Sequence, residues 1–460
     1  MTLLAAFLDI AQAWRSVFPQ RRSFGRALRQ ACGGLVCLGR RTLTRIIWTN
    51  GDQHRPKWDP EYKLHSRCRW DPQGLFAPVF QRALPWCPGR YVGVAVDDTR
   101  LRKTGKRIKQ AFLQRDPLSP AFHVNFMLGL RFLQASLLLP LHKRAQAACR
   151  ALPIRFQECS PLKRPGRKAP AEHWRQYRAA AKIHNLSQQF VSMMGRLRQD
   201  LDAAGGALKI LLLAVDGSFC NRTIFGALVT GVQIIARARK DAVLCFPAAA
   251  GSRRFYGAEK FTPEAVRKDP HRLWRTTRLF YGGKRRRVRY KEVRQVLWQG
   301  GARRRLLRLF VLAPTPYRKR KSGRFYYRQP AYLLTTDLTG PARTLLQTYF
   351  DRWQIEVNHR EEKDTLGVGQ AQLWNETSVP KQPVLAVAAY SALLLAALLA
   401  FGVERGAAYA QLPAWRRHAR RPSCLDLITL LRKEMTEHPE LLASYNLTPT
   451  YEKLTSAAAG

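Results

Sequence analysis

The sequence has few acidic residues to balance its basic ones. Only 31 Asp and Glu stand against 79 Lys and Arg, which leaves a formal net charge of +48 with His neutral. Such an excess destabilises an isolated compact chain by self-repulsion and favours a polyanionic partner. Nucleic acid is the leading candidate for that partner, and an anionic membrane surface is the weaker one.

Cysteine and histidine motifs are also missing. The nine cysteines form no C-x-x-C pair, and an odd number scattered over 460 residues makes no disulfide framework. The ten histidines show no H-E-x-x-H motif and no paired spacing with cysteine. These absences exclude a disulfide scaffold, disfavour a zinc site and indicate a cytoplasmic protein with reduced thiols. The apolar start is interrupted by Asp9 and no small-residue cleavage site follows, so no signal peptide is predicted.

Long uncharged runs are nearly absent, and the exception is the segment 382–403. It is long enough to span a bilayer. However, it is rich in alanine, it stands alone, and Lys and Arg are not biased to one of its flanks. We therefore expect a buried core helix and no membrane partner. The chain is 46% hydrophobic, which excludes a wholly disordered protein.

Five regions follow from the changes in composition along the chain. In the first, a turn at Gly39 and a short basic helix over 40–47 resemble the second half of a helix-turn-helix. A basic surface helix in a small bundle is an equally good interpretation. The predicted regions are a helical DNA-binding part at 1–85, the first part of an α/β core at 86–216, a basic β-rich insertion at 217–330, the second part of the core at 331–375 and a helical C-terminal region at 376–460.

Apolar and β-branched runs predict the strands, and longer mixed stretches predict the helices. We expect strands at 91–96, 122–132, 134–141, 209–215 and 331–337. We expect 143–206 to be largely helical, and further helices at 342–364 and 424–437.

Carboxylates follow two of the predicted strands. Asp97 and Asp98 come after the first strand, and Asp216 comes after the strand at 209–215. Two such strands can bring carboxylates together, where they repel unless a divalent ion holds them, and oxygen ligands suit Mg²⁺ or Mn²⁺. The alternative is that each Asp is an ordinary turn or N-cap residue.

A third carboxylate, Glu356, lies on a predicted helix with Tyr349, Arg352 and Lys363. Offsets of three, four and seven residues place these side chains on one helical face. That face would carry an aromatic donor, two cations and one carboxylate, which suits a phosphodiester held beside a metal ion. Arg352 and Glu356 taken alone are an ordinary i,i+4 surface pair.

The order Tyr349-x-x-Arg352-x-x-x-Glu356, followed seven residues later by Lys363, resembles a known signature. It matches the Y-(2)-R-(3)-E-(6)-K pattern of bacterial insertion-sequence transposases of the DDE type. The resemblance covers about 90–375. It implies an α/β fold with a ribonuclease-H-like core, in which a mixed five-stranded sheet with flanking helices is interrupted by a β-rich insertion. It implies metal-dependent strand cleavage and strand transfer in DNA transposition, including a hairpin intermediate.

The resemblance also implies roles for individual residues. Asp97, Asp216 and Glu356 would be the catalytic metal ligands; the family's Asp-x-Thr pattern favours Asp97, while Asp98 stays open as the first acid. The residues that match the family's DNA phosphate-binding positions are Tyr349, Arg352 and Lys363. Trp353 matches a position near a flipped base, and plain core packing is an equal alternative for it.

The predicted insertion is the most basic part of the chain. Over 271–328 there are 20 Lys and Arg and one acid, Glu292, interleaved with Tyr and Trp, which is typical of a nucleic-acid surface. The resemblance implies that this nucleic acid is double-stranded DNA, both transposon ends and target, bound by a homodimer in a nucleoid-associated synaptic complex. Rival interpretations are a transposon-derived protein that binds DNA without cutting it and a basic RNA-processing nuclease. The cluster expected to contact DNA is Lys284, Arg285, Arg286 and Arg287.

Overall fold

A computed structural model of the chain describes residues 1–54, 56–120, 122–141, 148–320, 322–402, 422–443 and 445. The helices are α1 Leu3–Gln12, α2 Arg21–Val36, α3 Leu43–Thr49, α4 Asp59–Ser66, α5 Ala77–Ala83, α6 Ala171–Ile183, α7 Leu186–Ala203, α8 Arg222–Phe225, α9 Pro263–Lys268, α10 Gln299–Ala302, α11 Ala342–Asp351, α12 Trp353–Arg360, α13 Ser378–Phe401, α14 Cys424–Glu437 and α15 Pro439–Ala443. The strands are β1 Tyr91–Arg102, β2 Phe112–Arg115, β3 Phe126–Pro140, β4 Cys149–Glu158, β5 Ile210–Val215, β6 Val232–Arg237, β7 Leu244–Pro247, β8 Tyr256–Phe261, β9 Arg275–Tyr281, β10 Lys284–Leu297, β11 Leu306–Leu312, β12 Pro316–Arg318, β13 Phe325–Tyr327 and β14 Ala331–Thr335.

One large mixed sheet carries the α/β architecture. It has 12 strands, and its main path runs β2-β3-β1-β5-β6-β14-β11-β10-β7-β8, with β4 paired to β3 and β9 paired to β10. Within it, β1, β5 and β6 are parallel neighbours, while β3 is antiparallel to β1 and β4 is antiparallel to β3. The strands β4-β3-β1-β5-β6 are therefore five contiguous strands of the sheet.

The strands expected in the insertion extend this same sheet. β14 pairs antiparallel with β6, and β11 and β10 continue beyond it. The strand β6, which falls inside the predicted insertion range, is itself the parallel neighbour of β5. The region is β-rich, as expected, but its strands continue the central sheet. The division of the chain into five regions stays a prediction.

Two expectations about the sheet were wrong. The separate strands expected at 122–132 and 134–141 are one long strand, β3. The stretch 143–206, expected to be helical, contains strand β4 before helices α6 and α7. β4 carries Pro153 and pairs on one side with β3, at a point where the register shifts. Proline lacks the N–H that a central strand needs, and an edge position with a bulge tolerates it.

The apolar helix α13 lies in the core. It contacts α1, α2 and β4, and most of its residues are buried, including Tyr390 and Ser391. By length and composition it is the one helix in the described ranges that could cross a membrane, yet 78% of its most apolar window is inside the protein. Packing against protein on several sides accounts for its composition, as expected for a core helix.

The N-terminal and C-terminal helices lie against each other. Glu434 on α14 accepts hydrogen bonds from the backbone N–H groups of Leu3 (3.2 Å) and Leu4 (2.6 Å), which are donors at the start of α1 that the helix itself cannot pair. Parts of the predicted C-terminal region, residues 403–421, 444 and 446–460, lie outside the described residues.

The expected basic helix at 40–47 is shifted along the chain. It begins at Leu43 and ends at Thr49, so Arg40 and Arg41 precede it. The side chains of Leu43, Ile46 and Ile47 are buried, and α3 packs against α2 and α4. This packing favours a surface helix of a small bundle, and a role in DNA binding stays a prediction.

Candidate active site

The first two carboxylates meet where the parallel pairing of two strands stops. β1 pairs in parallel with β5 as far as Ala95 and Ala214, while the antiparallel pairing of β1 with β3 continues to Arg102. Asp97 therefore lies inside β1 and not after its end, contrary to expectation. Asp216 directly follows β5, and both side chains are half-buried at this edge.

The charge of Asp216 acts on Asp97. Burial, and after it repulsion by Asp216, raises the pKa of the Asp97 carboxyl to about 7, although the nearby Arg352 guanidinium opposes the shift. The Asp97 Oδ1 accepts a hydrogen bond from the Asp98 backbone N–H at 2.9 Å. The Oδ1 of Asp216 accepts two, from the Ser218 backbone N–H (2.9 Å) and hydroxyl (2.7 Å). The Asp216 side chain thus caps a short turn and also contributes to the site.

Asp98 points away from this pair. Successive side chains of a strand alternate between the two faces of the sheet. Asp98 Oδ2 lies 3.4 Å from Arg131 Nε and 4.0 Å from Arg100 Nη2, in a separate ion-pair cluster. Of the two neighbouring acids, the structure brings Asp97 and not Asp98 to Asp216.

Arg352 joins the third carboxylate to the first. Its Nη2 donates to Glu356 Oε1 at 3.2 Å, and its Nη1 lies 3.9 Å from Asp97 Oδ2. Glu356 is also close enough to Asp216 for repulsion to raise its pKa, although burial is the larger cause. The site therefore contains three carboxylates with one guanidinium between two of them.

The helix that carries these residues is not continuous. α11 ends at Asp351, α12 begins at Trp353, and Glu361–Thr365 forms a π-helical turn. The prediction of one continuous helix over 342–364 was therefore wrong in detail. A π-turn rotates the residues that follow it and is frequent at functional sites.

Tyr349 and Lys363 nevertheless lie within electrostatic range of the same carboxylates. The Arg352 guanidinium carbon lies 5.9 Å from the centre of the Tyr349 ring, and burial raises the pKa of Tyr349 with a contribution from Asp216. Burial lowers the pKa of Lys363, while the charge of Asp97 acts in the opposite direction. All four residues of the signature thus interact electrostatically with Asp97 or Asp216.

Trp353 is 60% exposed, so it does not pack in the core. Its neighbour on the same helix, Ile355, is fully buried. The core-packing alternative for Trp353 was wrong, and its ring is accessible to a ligand beside the site.

A buried polar group behind the site was not predicted. Gln134 on β3 lies directly opposite Asp97 in the strand register, and its Nε2 donates to Glu362 Oε1 at 2.9 Å and to Ser136 Oγ at 3.1 Å. Burial raises the pKa of Glu362 to about 8. The signal was present in the sequence, because Gln134 and Ser136 are polar residues two apart within an apolar strand, and therefore share one face.

The basic β9–β10 hairpin presents most of its cations to solvent. Residues 284–287 are all exposed and follow the turn Gly282–Gly283, where both glycines have positive φ. The one acid of this stretch, Glu292, lies among Arg275, Arg294 and Arg308, farther along β10. The tip of the hairpin therefore keeps a high density of positive charge.

Some cations of the stretch have structural roles instead. Lys291 is buried and donates to the carbonyls of Val266 (3.1 Å), Arg267 (3.0 Å) and Asp269 (2.5 Å) at the end of α9. Arg308 is buried and donates to the Gly340 carbonyl at 2.6 Å. Lys321 lies outside the described residues. The raw count of 20 therefore overstates the number of cations exposed to solvent.

A known family matches most of the chain. The model of the family described as DDE superfamily endonuclease matches residues 16–305, more than half of the chain. The chain belongs to this family. The match includes Asp97 and Asp216 and ends before the helix that carries Glu356. No curated protein matches the chain.

Endonucleases of the DDE superfamily generally use divalent metal ions. Within the described ranges, no three His, Cys, Asp or Glu side chains converge closely enough to form a ready metal centre. The donor chemistry nevertheless fits, since carboxylate oxygens are the preferred ligands of Mg²⁺ and Mn²⁺. Burial is the main cause of the raised pKa of Asp97 and repulsion by Asp216 is the second, while Arg352 only partly opposes the shift, so a bound cation would stabilise the charged carboxylate.

Proposed function

We propose that this protein is a DNA transposase that cleaves and joins strands at the ends of an insertion sequence. The observation that carries the proposal is the meeting of Asp97 and Asp216 on neighbouring parallel strands, with Glu356 joined to Asp97 through Arg352. Membership of the endonuclease family supports phosphodiester chemistry. The surrounding Tyr349, Arg352 and Lys363 support the more specific assignment.

The strand order supports a ribonuclease-H-like core. In β4-β3-β1-β5-β6, three antiparallel strands precede two parallel ones, and the helices α11 and α12 pack against these strands. Beyond β6 the sheet continues through β14, β11, β10, β7 and β8, so most strands of the insertion proposed at 217–330 extend the core sheet. This arrangement places the end of β5 beside the middle of β1, where the two acids meet.

In the proposed reaction, a water oxygen attacks the phosphorus at the element's end, the bond from phosphorus to the 3′ oxygen breaks, and a 3′-hydroxyl is released. Mg²⁺ or Mn²⁺ held by Asp97, Asp216 and Glu356 would supply activation of the water and stabilisation of the leaving oxygen. The freed hydroxyl would attack a phosphorus of the opposite strand to form a hairpin, and the flanking DNA would leave with a 3′-hydroxyl. A second water would reopen the hairpin and regenerate the 3′-hydroxyl of the element, which would then attack target DNA.

The side chains around the acids would position the DNA. Arg352 offers a planar guanidinium that can contact two phosphate oxygens, and Lys363 offers a second cation. The exposed Trp353 ring suits stacking on an extruded base. Residues 284–287 would contact the phosphate backbone of the double-stranded DNA, and two copies of the chain would hold the two ends.

Cleavage of the element's flanking DNA ends by the purified protein with Mg²⁺, read on a denaturing gel, tests the proposal. Asp97→Asn and Asp216→Asn should abolish strand cleavage and leave DNA-end binding nearly intact. Asp98→Asn is the matched control, because Asp98 faces Arg131, and it should still cleave.

Three results would contradict the proposal. Full cleavage by Asp216→Asn would exclude the assigned site. Binding by the unaltered protein without any cleavage would favour a transposon-derived DNA-binding protein, and cleavage confined to RNA would favour an RNA-processing nuclease.

A further inference from the structure

The hairpin of β12 and β13 stands apart from the central sheet. These two strands form a separate two-stranded sheet, with Tyr317 opposite Tyr326 and Arg318 opposite Phe325. We call residues 316–320 and 322–328, the described part of this hairpin, the basic ribbon. Phe325 is 55% exposed and Tyr327 is 67% exposed, so core packing does not explain these aromatic side chains. An isolated two-stranded hairpin is marginally stable at best in water.

Cations lie over three of the aromatic rings of the ribbon, those of Tyr317, Phe325 and Tyr326. The guanidinium carbon of Arg318 lies 3.9 Å from the centre of the Phe325 ring. Tyr326 has two cations near its ring, Lys319 at 4.8 Å and Arg324 at 4.9 Å, and Arg324 Nε also donates to the Tyr326 hydroxyl at 2.9 Å.

The contacts between these cations and rings determine which kind of ligand the ribbon can bind. Rings covered by guanidinium groups are poorly available for stacking on unpaired bases, which is how aromatic side chains bind single strands. The cations, in contrast, are held in place, so less side-chain entropy is lost when each binds a phosphate. No acid occurs between 314 and 329. The ribbon therefore offers mainly oriented positive charge, with Tyr327 as a further exposed ring.

The charges lie on both faces of the ribbon. Cross-strand partners share a face, so Tyr317 and Tyr326 lie on one face with the cations that cover them, and Arg318 and Phe325 lie on the other. Arg328 approaches the Tyr317 ring at 5.8 Å and adds to the first face. A partner with phosphates on two sides matches this distribution, and the major groove of duplex DNA is wide enough for a two-stranded ribbon.

We infer that the basic ribbon enters the major groove of duplex DNA and contacts the phosphates on both sides of it. The inference rests on the proposed function, because it assigns a DNA-contacting element to the same enzyme. It is separate from residues 284–287, which lie on the β9–β10 hairpin of the central sheet.

The test compares two variants of the full-length protein with equal charge loss. The ribbon variant carries Arg318→Gln, Lys319→Gln, Arg324→Gln and Arg328→Gln. The control carries Lys163→Gln, Arg164→Gln, Arg167→Gln and Lys168→Gln, in the exposed loop before α6. Affinity for a short duplex and for the matching single strand is measured over a range of salt concentrations, and thermal melting verifies that each variant folds.

The ribbon variant should give a shallower slope of log K against log salt for the duplex, by about 0.9 for each phosphate that the ribbon no longer neutralises. The control slope should not change. The unaltered protein should also protect guanine N7, a major-groove atom, from dimethyl sulfate, and the ribbon variant should lose this protection.

Equal slope changes in both variants, an effect on the single strand alone, or unchanged N7 protection would overturn the inference. The proposed function fails on a different result, the absence of cleavage by the unaltered protein. If cleavage is present while the ribbon variant binds duplex normally, the ribbon inference alone is wrong. If cleavage is absent while the ribbon variant loses duplex affinity, the transposase proposal alone is wrong.

Discussion

Arg352 places a positive charge between two of the proposed metal ligands, so replacing it should have opposite effects on metal binding and on cleavage. In Arg352→Gln the guanidinium no longer neutralises Asp97 and Glu356. We expect Mn²⁺ to bind more tightly to the DNA-free protein, because it no longer competes with the guanidinium. We expect strand cleavage to fall, because the side chain proposed to hold the phosphate is gone.

The distances set the size of the effect on metal binding. At the 3.9 Å that separates Arg352 Nη1 from Asp97 Oδ2, two unit charges attract by about 4 kcal/mol at an effective dielectric of 20 and by about 1 kcal/mol in water. The Asp97 side chain is 19% exposed, so the energy of its attraction to Arg352 lies between these two limits. Glu356 is 34% exposed, and such an i,i+4 pair adds only about 0.5 kcal/mol. A net change of about 2 kcal/mol corresponds to roughly thirtyfold tighter binding.

Isothermal titration of Mn²⁺ into the full-length protein without DNA measures this change directly. The matched control is Arg360→Gln, which removes an exposed arginine at the end of the same helix α12. Its Mn²⁺ affinity should stay close to that of the unaltered protein. Asp97→Asn identifies the site, because it should weaken Mn²⁺ binding in both backgrounds.

Weaker or unchanged Mn²⁺ binding in Arg352→Gln would refute the reasoning. It would mean that the guanidinium does not compete with the cation for Asp97. An equal gain in Arg360→Gln would also refute it, since the effect would then come from net charge and not from the proximity of Arg352 to Asp97.

Three further predictions concern DNA binding, pH and base stacking. Replacing residues 284–287 with Gln should weaken binding to all DNA sequences and make the salt slope shallower by about 0.9 for each phosphate left without its cation, and an unchanged slope would show that these cations are only solvated. The pKa of Glu362 rises from 4.5 to about 8 on folding, so the folded chain keeps a proton that the unfolded chain releases, and stability should decrease as the pH rises through this window. Glu362→Gln should flatten that dependence of the melting temperature, and an identical pH profile would contradict the assignment. Trp353→Ala should leave the melting temperature nearly unchanged but reduce the fluorescence change of a 2-aminopurine placed at the DNA end, whereas a large loss of stability would indicate a packing role.

Local sequence patterns were sufficient to predict the strands and helices that depend on residues close together in the chain. The strand expected at 209–215 is Ile210–Val215, because a continuous apolar run flanked by polar residues can be buried on both faces of a sheet. The helix expected at 424–437 is Cys424–Glu437, and it begins with a capping box formed by Ser423 and Asp426. Burial of α13 also followed from its alanine-rich composition.

Elements stabilised by partners that are distant in the sequence could not be predicted from such patterns. β4 mixes polar residues with Pro153, and its strand conformation depends on pairing with β3. The break at Arg352 and the π-turn at Glu361–Thr365 likewise interrupt a stretch with continuous helical periodicity. There the buried Glu362 meets Gln134 from a strand more than two hundred residues earlier.

The sequence by itself determined the kinds of residue available for the site: Asp near two apolar strands, and Tyr349, Arg352, Glu356 and Lys363 at their spacing. Only the tertiary structure decided which of them meet. Asp97 and Asp98 are adjacent in sequence, and the register of β1 with β3 and β5 sends one toward Asp216 and the other toward Arg131. Side-chain direction in a strand alternates, but which face becomes the site depends on the neighbouring strands, and these come from distant parts of the chain.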